Sequence, residues 1–167
     1  MNNNSASVVD EDGYRRIGAP TEISLKVLAE KISNEFDSAN NDPEAFEKSL
    51  KHTKEGVLEF SSERKMMSTI ISDCADFTDS KYTILLKGAS EKVLESCTTV
   101  KLANGKIVEL KAEDKVKIRR KLEEMADKAL RVIGIAANFT GGFYKDVKDA
   151  AERKKLLSNF DNYTKYE

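Results

Sequence analysis

The apolar residues of this chain change period at Gly56, and that change limits what it can fold into. Before it, Ile23, Val27, Leu28 and Ile32 recur at helical spacing behind Pro20, a residue suited to a first helical turn, with Glu22 near the positive end. SNEFDSANND then supplies loop chemistry, and Asp42 caps a second helix that begins at Pro43, turns Phe46 and Leu50 to its apolar side and ends at Gly56. Beyond Gly56, VLEF, KMMSTIIS and YTILLK are short runs of β type with polar connections such as DCADFTDS. They predict antiparallel strands.

After Lys87, GASEKVLESC makes a short helix with Ser90 as its cap and Val93 and Leu94 pointing inward. In TVKLANGKIVEL the dipeptide Asn104-Gly105 separates two apolar runs, and because both turn positions tolerate positive φ it predicts a β-hairpin. AEDKVKIRRKLEEMADKAL is a long amphipathic helix, apolar at Val116, Ile118, Leu122, Met125 and Leu130. RVIGIAAN follows as a buried strand, Gly141-Gly142 breaks the chain, and DVKDAAERKKLLSNF reads as a last helix. The fold class is α+β, a mainly antiparallel twisted sheet covered by helices. Residues 1–14, polar and rich in Asn and Ser, read as a flexible lead-in, and residues 15–167 as one domain.

Composition excludes several classes of function. A chain of 167 residues, 40% hydrophobic, buries a single core. Its 28 Lys+Arg against 29 Asp+Glu, a net charge of -1, disfavour a non-specific binder of nucleic acid or of an anionic membrane surface. No apolar run approaches the roughly 18 residues of a membrane span, and MNNNSASVVDEDG lacks the layout of a signal peptide. Cys74 and Cys97 read as reduced thiols of a cytosolic setting, without metal-ligand company because His52 is the sole histidine. His52, in SLKHTKE, reads as an exposed helix histidine, which leaves a Ser/His/Asp or Cys/His mechanism unsupported.

What chemistry the residues offer lies at the ends of predicted strands: Phe60, Lys65, Lys87-Gly88 and Arg131. Phe60 is by default a core aromatic, with a stacking platform as the alternative. Lys87 either leaves the sheet for solvent or meets a phosphate as a point charge, beside a glycine that lets a ligand approach the backbone. Neither GxxxxGKS/T nor GxGxxG occurs, so a complete phosphate cradle is missing and these residues by themselves support a binding surface.

GAPTEISLKVLAEKI, LEFSSERKMMS, KGASEKVLESC and ALRVIGIAAN follow one another in an order and spacing that resemble the nucleotide-binding domain of P-type calcium-transporting ATPases. The resemblance runs over nearly the whole chain from Arg15. KGASE together with FSSERKMMS is far more specific than either alone; PTE and LKVLAEK look most like the endoplasmic-reticulum type, and plasma-membrane calcium pumps share KGASE.

The resemblance implies that adenine stacks on Phe60 and that Glu22 accepts a hydrogen bond from the adenine amino group, which a carboxylate can do for adenine but not for a base with a carbonyl there. It implies that Lys65 and Lys87 line the pocket, that Met67 is an apolar wall, and that Gly88 and Ala89 bring backbone close to the base. Arg131 would hold the phosphates with its planar fork, with Ile133 as apolar neighbour. Ser62 stands where the family often has an arginine, so one phosphate contact is missing or comes from another side chain; Arg64 matches a later arginine of the family pattern.

DKTGT, whose aspartate takes the phosphoryl group in these pumps, is absent from the chain, and DFTDS and FTGG are not substitutes for the magnesium-binding and actuator motifs. The resemblance therefore implies a soluble, monomeric domain, cut at two hinge strands between Met1 and YTKYE, with no catalytic or metal-ligating residue of its own. Its ligand would be ATP, with magnesium in the full-length pump. Its partners would be the phosphorylation and actuator domains of the same polypeptide, with no nucleic acid, on the cytosolic face of the endoplasmic reticulum or a related internal membrane. Two other readings stand beside it: a noncatalytic protein-interaction module that uses a sheet edge or the Glu/Lys-rich helix, and the same domain from a pump of another cation specificity.

Overall fold

Residues 6–10, 13–36, 52–73, 81–140 and 146–158 are described by the structure, a computed structural model, and the chain divides into two units, Met1–His52 and Thr53–Glu167. In the first unit β1 (Ala6–Asp10) and β2 (Gly13–Ile17) pair antiparallel, with Val8 opposite Arg15. No element was expected before Tyr14; among the described residues these strands pair only with each other, which needs no apolar alternation, and they mix Ser, Asp and Arg with Val. α1 (Pro20–Phe36) starts at the proline, as the sequence predicts. Its apolar stripe is buried on one side only: Ile23 and Val27 are half-buried, whereas Leu28 and Ile32 are more than half exposed. The predicted helix from Pro43, Cys74 with the segment around it, Gly141-Gly142 and YTKYE lie outside the described residues.

The second unit is built on a four-stranded antiparallel sheet in the order β3 (Thr53–Leu58), β4 (Met66–Ser72), β5 (Tyr82–Ala89), β8 (Ile133–Asn138). KMMSTIIS and YTILLK are thus strands, as expected, whereas of VLEF only Val57 and Leu58 belong to β3, which starts before Gly56, so that Gly56 lies inside a strand rather than at a helix end. A Cβ there would run into the side chain of Leu157. His52 enters β3 from irregular chain and is not helical.

Between β5 and β8 come α2 (Ser90–Ser96), the strand pair β6 (Thr99–Lys101) and β7 (Ile107–Glu109), and α3 (Ala112–Ala126); α4 (Ala150–Leu157) follows β8. Ser90 is the first helical residue and not the cap, because the chain passes straight from β5 into α2 and Ala89, the last strand residue, occupies the cap position. The hairpin forms where Asn104-Gly105 predicts it, with a different turn. Gly105 N–H donates to the Leu102 carbonyl (2.9 Å) and Leu102 N–H to that of Lys106 (2.8 Å), and of the loop residues only Gly105 has positive φ (+83°). That is the three-residue loop with a left-handed glycine, not the two-residue mirror turn.

Direct pairing fixes the faces of the sheet. Met66, Ile70, Tyr82, Ile84 and Leu86 share the face covered by helices: Val93 of α2 packs with Met66 and Leu86, and Leu157 of α4 with Ile70, Tyr82 and Ile84. Gly134 on β8 lets α2 come close, since a Cβ there would stand 2.7 Å from that of Val93. Among the described residues β8 pairs only with β5, so RVIGIAAN there supplies an edge strand rather than a buried one, with Ile135 and Ala137 exposed. None of the residues of α3 is buried; Ile118, Leu122 and Met125 are half-covered and Val116 is exposed. Amphipathic period gives the direction of a helix face, not the depth to which it is covered.

Candidate functional site

The connection from β3 to β4, residues 59–65, is closed by its own polar groups. Ser61 Oγ accepts from Arg64 N–H (3.1 Å) and the Ser61 carbonyl from Lys65 N–H (2.7 Å), which folds Ser62, Glu63 and Arg64 into a tight turn. The Arg64 side chain turns inward, 9% exposed, and its Nη2 donates to the carbonyls of Glu59 (2.6 Å), Met66 (2.9 Å) and Leu58 (3.3 Å). Arg64 therefore takes no part in an outward-facing anion site. Phe60, two residues beyond the end of β3, is 58% exposed. The core reading of this ring does not hold.

Lys65 follows with left-handed backbone, φ +56°, and its carbonyl accepts from Ala89 N–H (2.9 Å), which extends the β4–β5 pairing by one step. Gly88 makes this possible: a Cβ at that position would meet the Lys65 carbonyl oxygen and stand 2.8 Å from Met66 Cα. The close approach that this glycine permits within the chain is of strand to strand. On the face opposite α2, Met67 pairs with Lys87 and Lys87 with Ile135, a row about 10 Å wide from the usual strand spacing. Met67 is buried (3% exposed), Lys87 half-buried and Ile135 71% exposed. One step further along, Ala89 pairs with Ile133, which is half-buried.

Arg131 reaches the same end of the sheet by the way α3 stops. Ala129 N–H donates to the Ala126 carbonyl (2.8 Å) and Leu130 N–H to that of Met125 (3.1 Å), the two bonds of a left-handed helix terminus, with Ala129 at φ +55° where glycine is usual. The chain turns there, and exposed Arg131 stands two residues before β8. Of the residues expected to form a site, the structure thus brings Phe60, Ser62, Lys65, Met67, Lys87, Gly88, Ala89, Arg131 and Ile133 to one end of one sheet. Glu22 lies in the first turn of α1, in the other unit.

Ile135 was missed, although the alternation of Ile133, Ile135 and Ala137 against Gly134 and Ala136 marks it as facing with Lys87. Away from this end, burial beside α2 pushes the Cys97 thiol above its ordinary range, against a smaller opposing pull from Lys115. Among the described residues no group of three or more His, Cys, Asp or Glu could hold a metal ion. No helix among them is long and apolar enough to cross a membrane.

Comparison with known proteins places this arrangement. Residues 1–164 match the family model of the P-type ATPase cytoplasmic domain N. The chain belongs to that family. Its relatives include the endoplasmic reticulum-type calcium-transporting ATPase 2 of Arabidopsis thaliana, 32% identical over 169 residues, which cover 89% of this chain and 16% of that protein. Calcium-transporting ATPase 1 of Bacillus cereus is 36% identical over 133 residues, 80% of this chain and 13% of that protein. Human plasma membrane calcium-transporting ATPase 1 is 32% identical over 125 residues, 73% of this chain and 9% of that protein. This N domain therefore spans less than a fifth of the length of these relatives. The resemblance carried by FSSERKMMS and KGASE is borne out at the level of the family, and so is the α+β fold.

Proposed function

We propose that this N domain binds ATP at the Phe60 end of its four-stranded sheet and, within a P-type calcium pump, presents the γ-phosphate to an aspartate of a separate phosphorylation domain. The observation that carries this reading is Phe60 itself: a large ring 58% exposed, just before a turn held from inside. An aromatic in that position is available to stack on a flat heterocycle. Ile133 and Ile135 would be the apolar surface beside it, with Met67 buried in the same row of the sheet, Gly88 and Ala89 the backbone next to the base, and Lys65, Lys87 and Arg131 the cations for the triphosphate, Arg131 through its planar fork. Glu22 is assigned to the adenine amino group on the resemblance alone.

Transfer would follow from placement: the N domain carries the nucleotide, and hinge closure brings the γ-phosphate in line with the accepting carboxylate. Magnesium, in the full-length pump, would neutralise charge on the transferring group, and no residue of this chain is assigned to it. The calcium specificity and the place on the cytosolic face of an internal membrane are proposed from the names of the relatives.

The test is an ATP titration of the labelled chain followed by amide shifts. The expected dissociation constant is about 0.1–1 mM, equivalent to about 4–5.5 kcal/mol. Shifts should cluster at Phe60, Lys87 and Arg131 and be weaker with GTP. Phe60→Ala should lose about 1–3 kcal/mol of binding, the worth of one stacked base, while its stability stays within about 0.5 kcal/mol, as for a surface change. Absence of shifts at several millimolar ATP in a well-dispersed spectrum, or unfolding of Phe60→Ala, would overturn the proposal.

A further inference from the structure

We infer that Arg64 is a positioning residue for nucleotide binding, one that sets where the Phe60 ring stands without touching the ligand. The inference rests on the nucleotide reading above. β3 ends at Leu58 and β4 begins at Met66, so residues 59–65 bridge them and carry Phe60, Ser62 and Lys65. Arg64 ties both sides of this bridge together from within: its Nη2 holds the carbonyl of Leu58 at the end of one strand and that of Met66 at the start of the next.

The shortest of its bonds, 2.6 Å, goes to the Glu59 carbonyl. That oxygen lies in the same rigid peptide plane as the Phe60 nitrogen, so fixing it fixes the direction in which Phe60 leaves the strand. On the other side of Phe60, Ser61 is held by the backbone of Arg64 itself through its Oγ. The aromatic residue is therefore anchored before and after by one arginine. The side-chain bonds come from a charged group, which makes them stronger than neutral ones. Because the group is buried and its Nη2 is given to these three carbonyls, its effect on a nucleotide passes through Phe60.

The experiment is a double-mutant cycle on the whole chain, with ATP as ligand. Arg64→Met and Phe60→Ala are made singly and together, and affinity is read from amide shifts while the adenine H2 and H8 protons report the ring current of Phe60. Arg64→Met should weaken ATP about tenfold, within the worth of one stacking contact, and remove most of the upfield displacement of H2 and H8. In the Phe60→Ala background the same change should cost less than twofold. Arg64→Lys, which keeps a positive charge but loses the planar group that places Nη2 among the three carbonyls, should fall between Arg64→Met and the unaltered chain.

Affinity losses that simply multiply would show that Arg64 acts elsewhere than through Phe60, and unchanged affinity and ring current in both Arg64 variants would overturn the inference. Should Arg64→Met fail to fold, Arg64→Lys and Ser61→Ala carry the cycle with the same readings. An unaltered chain that gives no shifts with ATP defeats the nucleotide reading and this inference together; one that binds through Phe60 but ignores Arg64 defeats this inference alone.

Discussion

Lys65 holds left-handed backbone, φ +56°, at the point where its carbonyl joins β4 to β5. An L residue other than glycine incurs about 1–2 kcal/mol there. Glycine avoids that cost at the expense of a freer unfolded chain, so Lys65→Gly should leave stability unchanged or raise it by up to about 1 kcal/mol. The same change removes an exposed ammonium from the proposed phosphate side, a contribution of about 0.2–1 kcal/mol, and should weaken ATP up to about fivefold. Chemical denaturation and the ATP titration together check this; a destabilised variant with unaltered affinity would remove Lys65 from the site. Ser62, exposed in the same turn, is the converse case. Ser62→Arg should strengthen ATP binding about two- to fivefold at low salt and lose the gain in 0.5 M salt, because an exposed ion pair is screened. An equal gain at both salt concentrations would point to packing instead of charge.

At the scale of elements, the end of α3 decides where Arg131 emerges. Ala129 sits at the left-handed position of the helix terminus, φ +55°, where glycine carries no Cβ penalty. Ala129→Gly should therefore stabilise the fold by about 1 kcal/mol, read as a higher denaturant midpoint with an unchanged slope. A lower midpoint would mean that the terminus is held by something other than its backbone bonds. The core of this architecture was legible from residues alone wherever a local rule and a global demand agree. KMMSTIIS and YTILLK read as strands because they are apolar runs of β type, though the second strand runs on through Gly88 and Ala89, and Asn104-Gly105 placed the hairpin. The rest was hidden for physical reasons. Among the described residues β1 and β2 pair only with each other and β8, which reads as apolar, lies at an edge, and how deeply α1 and α3 are covered depends on neighbours that period does not reveal. Site residues were legible chiefly through family resemblance. Phe60, read on its own, is the kind of residue that packs, and only its exposure separates the two roles.

At the scale of the whole molecule, holding a nucleotide and cleaving it are separable. The chain contains no DKTGT segment, and among the described residues no cluster of His, Cys, Asp and Glu could hold a metal ion. Phosphoryl transfer needs an in-line acceptor and a neutralised leaving group, whereas adenine stacking needs neither. If binding is dominated by the base, with the triphosphate held by exposed cations, chelating the metal removes little. The dissociation constant for ATP should then agree within about twofold with magnesium and with excess chelator, a difference of about 0.4 kcal/mol at most. Over the same period no phosphate should be released above the rate of ATP in buffer, and no phosphoryl group should remain on the protein after precipitation. An affinity that rises tenfold or more with magnesium would instead require a metal-bridged phosphate site on this chain and would move the centre of recognition away from Phe60 to the phosphates. Labelled phosphate retained by the precipitated chain would contradict the division of labour itself, since it would make the N domain an acceptor as well as a carrier.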